Sequence, residues 1–390
     1  MEKPPDQTEK VIPDELMAIL SQRDGAAKIV RILPQRYSVE EVANTTLIEG
    51  PTSAHNIWET CGYFYLVYGR FYEAIAVFQS LYNHLLDYQQ STKARAHKGS
   101  PLVFLSDCHA RLDHPVVARR YLMLGLCEDA IKERGLVEPE KTGVYFRAVW
   151  NFGLSEEQVK HFTSLSWKLF QKNREAGAFP EWLLQELDQA NRESGVQEWA
   201  TEYPAPSESS VYPINRHYLN WLLNKTGDKG GRYLERTAHY LLSAMPGCRA
   251  RMRMRSPSTD YDVVGFLEGQ FVDFRADVGR YFLCECKDWS KKTDFSTIAK
   301  FARVLESTKA ASGIIFSRLG VSGEGKGQHA DRELLKVFQH RGIAILVVSL
   351  RDLVAVANGR NFIEMLRGKY EAIGLDLQPD SQQKTAIEVK

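Results

Sequence analysis

Near the middle of the chain, the sequence EYPAPSESSVYP (residues 202–213) places Pro204, Pro206 and Pro213 among Ser207, Ser209 and Ser210 with no hydrophobic period. Proline lacks a backbone donor and fixes its own φ, so neither a helix interior nor an interior strand can run through this stretch. The chain must therefore build its cores on either side of it. A length of 390 residues allows about two to three domains, and the two sides differ in character. Residues 1–205 carry 22 Lys+Arg against 28 Asp+Glu, a net −6, whereas residues 206–390 carry 28 against 21, a net +7. An acidic half and a basic half point to domains with different partners, and the basic half points towards nucleic acid.

Composition removes several classes. With 44% hydrophobic and 25% charged residues, the chain is not disordered, collagenous or a coiled coil throughout. No run approaches the roughly 20 apolar residues of a spanning helix, and the opening MEKPPDQTEK has no apolar signal core. A cytoplasmic protein without a membrane partner is expected. The six cysteines, at 61, 108, 127, 248, 284 and 286, form no CxxC pair and are too sparse for a disulfide scaffold. Buried, reduced thiols are the expectation. The ten histidines make no HExxH or HxxxH pairing, which argues against structural zinc.

The first half reads as helices. Between Asn56 and Leu86, large apolar residues recur at helical spacing, with a break at Tyr68-Gly69-Arg70. Two antiparallel helices joined by a tight turn follow. Gly62 and Ala74 mark a close crossing, and Trp58, Tyr65, Phe71 and Phe78 fill the space between. Trp58, Cys61, Gly62, Tyr65, Gly69, Phe71, Ala74 and Phe78 stand at the spacing of a tetratricopeptide repeat, which this segment resembles. A looser second copy uses Leu105, Ser106, His109, Ala118, Leu122 and Gly125. Ala118 lies 44 residues after Ala74, longer than the repeat's usual length of about 34, so residues 89–100 read as an inserted polar loop. A third pair is expected over 144–172, broken at Gly153. Stacked pairs of this kind leave a concave face that binds proteins or peptides, and a helical scaffold without a ligand of its own is the plainer alternative.

The second half alternates. RYLERTAHYLLSAM from Arg232 has one apolar helical face. An Arg-rich segment follows, then the strand-like runs YDVVGFLE and YFLCECKDW. After these come helix IAKFARVLEST, strand SGIIFS, helix ADRELLKVFQHR, strand IAILVVSL, and helical LVAVANG and NFIEMLRG. The order α-β-β-α-β-α-β predicts a mixed sheet with helices on its faces.

Its chemical centre is Glu285-Cys286-Lys287. On a strand, Glu285 and Lys287 share a face and Cys286 points away. Asp262 opens the apolar run DVVG. Carboxylate oxygens of this kind suit Mg²⁺, with Mn²⁺ able to substitute. Lys287 could place a water or neutralise charge. Glu–Lys pairs are also common as plain surface ion pairs; the combination with Asp262, Glu235 and the element order is what raises the catalytic reading.

Together Glu235, Asp262 and Glu285-x-Lys287 resemble the PD-(D/E)xK restriction-endonuclease-like superfamily, near its Mrr-like branch, over roughly residues 230–355. The resemblance implies an α/β restriction-endonuclease-like core in which Asp262 and Glu285 hold the metal and Glu235 is the early helical acid. The family's proline before the Asp is absent. The gap from Asp262 to Glu285 is long, which suggests an insertion over 269–280. Asp260 and Asp273 are rival acids; Asp262 is preferred because DVVG follows it directly, while Asp273 falls in the expected turn.

Two further features bear on binding. Arg249, Arg251, Arg253 and Arg255 alternate in CRARMRMR, so on a strand all four face one way and could contact phosphates; a solvated edge strand protected from aggregation would look the same. Gly320–Gly327 fits GxxxxGK, but Gly327 replaces the Ser or Thr that ligates Mg²⁺ in a P-loop. An NTPase is thereby disfavoured, and Lys326 is instead a candidate backbone contact on a cleft loop.

The expected organisation is a helical repeat domain (1–201), a linker (202–213), a nuclease domain (214–375) and a tail (376–390). The expected function is a metal-dependent endodeoxyribonuclease, a restriction or anti-phage effector controlled through its repeats. DNA would bind the C-terminal domain and a protein or peptide the repeats; a homodimer is compatible with both. The alternative is a non-catalytic DNA-binding scaffold.

Overall fold

The computed structural model describes residues 12–43, 53–132, 134–135, 154–193, 214–228, 230–245, 248–256, 259–267, 278–322 and 330–376. Their contacts divide into two compact units, residues 1–199 and 200–390. The expected linker, the first part of the third helical pair, Asp273, Lys326 and nearly all of the expected tail lie outside the described residues.

The first unit is helical. It comprises α1 (Asp14–Leu20), α2 (Gly25–Arg36), α3 (Val39–Ala43), α4 (Ala54–Val67), α5 (Phe71–Thr92), α6 (Gly99–Arg111), α7 (Pro115–Lys132), α8 (Glu156–Lys172) and α9 (Pro180–Glu193). Helices α4 and α5 pack as the expected hairpin. The Ser53 side chain caps α4 by accepting the Asn56 N–H, and Gly69, at φ 71°, makes the turn. Trp58, Tyr65, Ala74 and Phe78 are wholly buried, while Phe71 is only half-buried. Gly62 is needed for the crossing, because a Cβ there would stand 2.6 Å from Phe78 Cε1. Helices α6 and α7 form the second hairpin, and Ser106 Oγ donates to Ala118 O at 2.7 Å.

Residues 89–100 differ from the expected loop. Helix α5 continues to Thr92 and α6 begins at Gly99, so half of these residues are helix and only 93–98 form the connection. Lys98, in the short connection, is buried and paired with Glu128 at 3.0 Å; Arg95 meets the same carboxylate at 2.8 Å. This polar segment turns inward because Glu128, on α7, supplies a buried counter-charge that no local pattern reveals. Burial draws the Lys98 pKa down, and Glu128 opposes it.

The second unit is mixed α/β. Helix α10 (Arg216–Asn224) and α11 (Arg232–Ala244) precede β1 (Cys248–Arg255), β2 (Asp260–Leu267) and β3 (Tyr281–Lys287). Then come α12 (Phe295–Ser307), β4 (Ser312–Ser317), α13 (Ala330–Arg341), β5 (Ala344–Ser349), α14 (Leu350–Ala357) and α15 (Phe362–Gly374). The five strands lie in the order β1-β2-β3-β4-β5. The first three pair antiparallel, and β3, β4 and β5 run parallel. The fold class is as the sequence implies: a helical region followed by a mixed α/β region. The Arg-rich segment adds a strand to the expected order, at the sheet's edge. Helix α10 also goes beyond the expected elements, although Tyr218, Leu219, Leu222 and Leu223 give it a buried stripe and Asn215 caps it.

Alternation sorts the sheet into two faces. Val264, Leu283, Ile315 and Ile345 pack with Ile298, Phe301 and Leu305 of α12 and Leu334 and Val337 of α13. The opposite rows bury Val263, Phe282, Cys284, Ile314, Phe316, Leu346 and Val348. Gly265 belongs to this second face, where α11 comes so close that a Cβ would meet Leu242 Cδ1 at 3.4 Å. Strand β4 lies between β3 and β5 and is buried at every residue, with Ile314–Phe316 apolar between Ser312 and Ser317.

Candidate active site at the end of the sheet

The site forms where β3 ends. Strand β2 runs antiparallel to β3, so the start of β2 and the end of β3 meet at the same sheet edge. The register pairs Val263 with Cys284, and one residue further along sets Asp262 opposite Glu285. Both then lie on the face of Val264 and Leu283, beyond the apolar cluster that α12 covers. The Cys286 N–H donates to Asp262 Oδ2 at 2.7 Å, which ties the two strands at this point. Lys287, on the same face as Glu285, pairs with its Oε1 and lies 5.0 Å from the Trp289 ring centroid.

Asp262 is the electrostatically strained member. Burial pushes its carboxyl up to about 6, while the Cys286 N–H opposes the shift. The neighbouring Glu285 and Glu235 charges raise it further, and Lys287 draws it down. Burial, with Asp262 next, pushes the Cys286 thiol well up. Cys286 is therefore held as a protonated thiol at neutral pH. All six cysteines are free, as read from the sequence, and only Cys286 is not fully buried.

Glu235 reaches the site differently. It belongs to α11, on the other face, and chelates Arg253 through two hydrogen bonds of 2.7 and 3.2 Å. Arg253 has φ 50°. That left-handed backbone interrupts the alternation of β1 and turns its guanidinium to α11, so the arginine row is not uniform. Arg249 and Arg251 lie 4.8 and 5.8 Å from the Phe266 ring centroid. Arg255 sits 3.9 Å from Asp260, and both are highly exposed, which leaves Asp260 as a surface partner at the strand's start. The structure thus brings Asp262, Glu285 and Lys287 together, pairs Glu235 with Arg253, and spreads the other arginines along the edge.

Among the described residues, no group of three or more His, Cys, Asp or Glu side chains gathers to hold a metal. The carboxylate pair is nevertheless a fit for Mg²⁺, a hard cation that keeps several waters and takes one or two protein carboxylates. Behind burial, the Glu285 and Glu235 charges add to the raised Asp262 pKa, and a divalent cation would relieve that part of it.

Two features escaped the sequence reading. One is the pairing of Arg253 with Glu235, which depends on an unforeseeable backbone turn. The other is Trp289, two residues past Lys287 and exposed at 37%; its nearness to Lys287 in the sequence was the available signal. Among the described residues, no helix is long and apolar enough to cross a membrane. In comparisons with known proteins, no family model, curated protein or solved structure matches this chain.

Proposed function

We propose that the second unit is a metal-dependent nuclease that hydrolyses phosphodiester bonds in DNA, of the PD-(D/E)xK type that its motifs resemble. The observation that carries this reading is the facing of Asp262 and Glu285 across β2 and β3, with Lys287 beside them. Asp262 and Glu285 would hold Mg²⁺ or Mn²⁺. Such a cation, when bound, supplies neutralisation of phosphoryl charge and a lowered pKa for a coordinated water. The Cys286 N–H holds Asp262 Oδ2 in place, which leaves Oδ1 for a ligand. The Lys287 ammonium, now on Glu285, would neutralise the phosphate or position the attacking water. Glu235 orders Arg253 at the rim rather than touching the reacting atoms. The hairpins of the first unit, which resemble tetratricopeptide repeats, would hold a protein or peptide that controls the nuclease in a restriction or anti-phage role.

The test is incubation with supercoiled plasmid, linear DNA and RNA, in Mg²⁺, Mn²⁺ or EDTA. Asp262→Ala, Glu285→Ala and Lys287→Ala should each lower cleavage by at least about 100-fold, the scale of losing one preorganised charge-stabilising group. Only the two carboxylate variants should weaken metal binding, because an ammonium does not ligate Mg²⁺. DNA affinity should survive in all three, since other Lys and Arg side chains supply it. Glu235→Ala should cost less, and Asp273→Ala should cut at close to the wild-type rate. Wild-type cleavage by Lys287→Ala would overturn the nuclease reading.

A further inference from the structure

Trp289 stands on a loop that is held at both ends. The Asp288 carboxylate accepts the Gly227 N–H at 2.7 Å. At the far end, the Thr293 N–H donates to Gly320 O and the Ser322 N–H to Thr293 O, both at 2.9 Å. Thr293 Oγ1 lies 2.8 Å from Ser317 Oγ, and Asp294 caps α12 by accepting the Thr297 N–H at 3.0 Å. A loop anchored in this way presents its side chains in a defined place. Yet it leaves the indole exposed, along with Lys291 and Lys292.

The exposure is not isolated. The large exposed apolar residues among the described ones number eight, and three of them, Trp289, Phe295 and Leu319, belong to this loop or adjoin its anchors in the chain. Phe295 is two residues beyond Thr293, and Leu319 adjoins Gly320, which Thr293 contacts. Single exposed apolar side chains need no explanation, but a large exposed ring on an anchored loop between two ammonium groups is suited to binding. Lys287 Nζ and Lys291 Nζ lie 5.0 and 5.6 Å from the indole centroid. Flat aromatic surface among ammonium groups is the chemistry that receives a nucleobase and its phosphates.

We propose that Trp289 is a stacking platform for an unpaired nucleobase, so that the site takes DNA that is single-stranded or locally unpaired. That the base lies next to the scissile phosphate rests on the nuclease reading of Asp262, Glu285 and Lys287. A base inside a duplex already has neighbours on both faces and cannot stack on a protein ring without being unstacked first. An exposed cation–π contact is weaker than the stacking of a base on an aromatic side chain. An incoming base therefore displaces a lysine from the indole, and the freed ammonium meets the phosphate.

The experiment uses the full chain in EDTA, where nothing is cut. Fluorescence anisotropy would follow binding of labelled oligothymidylate, an abasic deoxyribose-phosphate oligomer of equal length, and a duplex. Trp289→Ala should weaken oligothymidylate binding by roughly 5- to 150-fold and leave the abasic oligomer unchanged. Trp289→Phe, which keeps an aromatic face, should retain most of the affinity. Equal losses on the base-bearing and abasic oligomers would overturn the platform, as would an unaltered affinity in Trp289→Ala. Cleavage assays in Mg²⁺ separate this from the reading beneath it. Base-dependent binding through Trp289 with no cleavage of any DNA removes the nuclease and keeps the platform. Duplex cleavage that ignores Trp289, with no preference for single strands, keeps the nuclease and removes the platform.

Discussion

Asp262 holds an ionised carboxylate at neutral pH against its surroundings. Its folded pKa, about 6, lies above the ordinary 3.8. The folded protein therefore binds the proton more tightly than the unfolded chain between these values. Stability from this group is greatest below about pH 4 and is lost as pH rises through about 6. Asp262→Asn keeps an oxygen for the Cys286 N–H and removes the charge. In EDTA it should raise stability by about 2 kcal/mol above pH 7, a figure reduced from the full shift to allow for partial solvation, and have little effect near pH 4. Denaturant melts of both proteins across this range would decide it; an advantage for the variant that is independent of pH would mean that the carboxylate is not strained. The same variant should lose cleavage, since stability and a ligand-ready carboxylate oppose each other at this position.

At the level of elements, two glycines in one hairpin separate two kinds of constraint. Gly62 is required by packing: Phe78 is wholly buried, stacks on Phe104 at 4.7 Å, and has no room to retreat from a Cβ 2.6 Å away. Gly69 is required by conformation alone, since its φ is 71° and nothing lies within 4 Å of a Cβ there. Gly62→Val should cost about 3 kcal/mol through overpacking. Gly69→Ala should cost about 1 kcal/mol, the strain of a left-handed residue. Thermal or denaturant unfolding of the full chain measures both, and a larger loss at Gly69 than at Gly62 would contradict the packing assignment. Both positions were legible beforehand because small residues at helical spacing and a glycine between two helical runs are local signals. The fate of residues 89–100 was not: their polar composition describes a loop equally well, and only the carboxylate of Glu128 makes the inward course of Lys98 favourable.

For the whole molecule, contacts separate residues 1–199 from 200–390, close to where the proline- and serine-rich stretch falls. Each unit has buried apolar residues throughout its described elements. Separate expression of 1–199 and 200–390 should therefore yield two pieces that each unfold cooperatively. Differential scanning calorimetry of the pieces and the intact chain would check this; a piece that fails to melt cooperatively would show that the units need each other. The second piece, with its net positive half, should keep any basal cleavage and its salt-sensitive affinity for DNA.

What the sequence determined by itself is what short range decides. Hydrophobic period named the two helical hairpins of the first unit and most strands and helices of the second, because burial of a face repeats every 3.6 or 2 residues whatever the neighbours are. The same-face relation of Glu285 and Lys287 followed from the pleat. Only the tertiary structure decided the rest. Asp262 faces Glu285 because β2 and β3 pair in one register out of several, and register is set by which rows the helices bury. Arg253 leaves its row because Glu235, from a helix on the opposite face, offers a chelating carboxylate. Trp289 stands beside Lys287 on a loop that is held by anchors at Gly227, Gly320 and Ser322. These are contacts between residues distant in the chain, whose energies exist only once the elements have met.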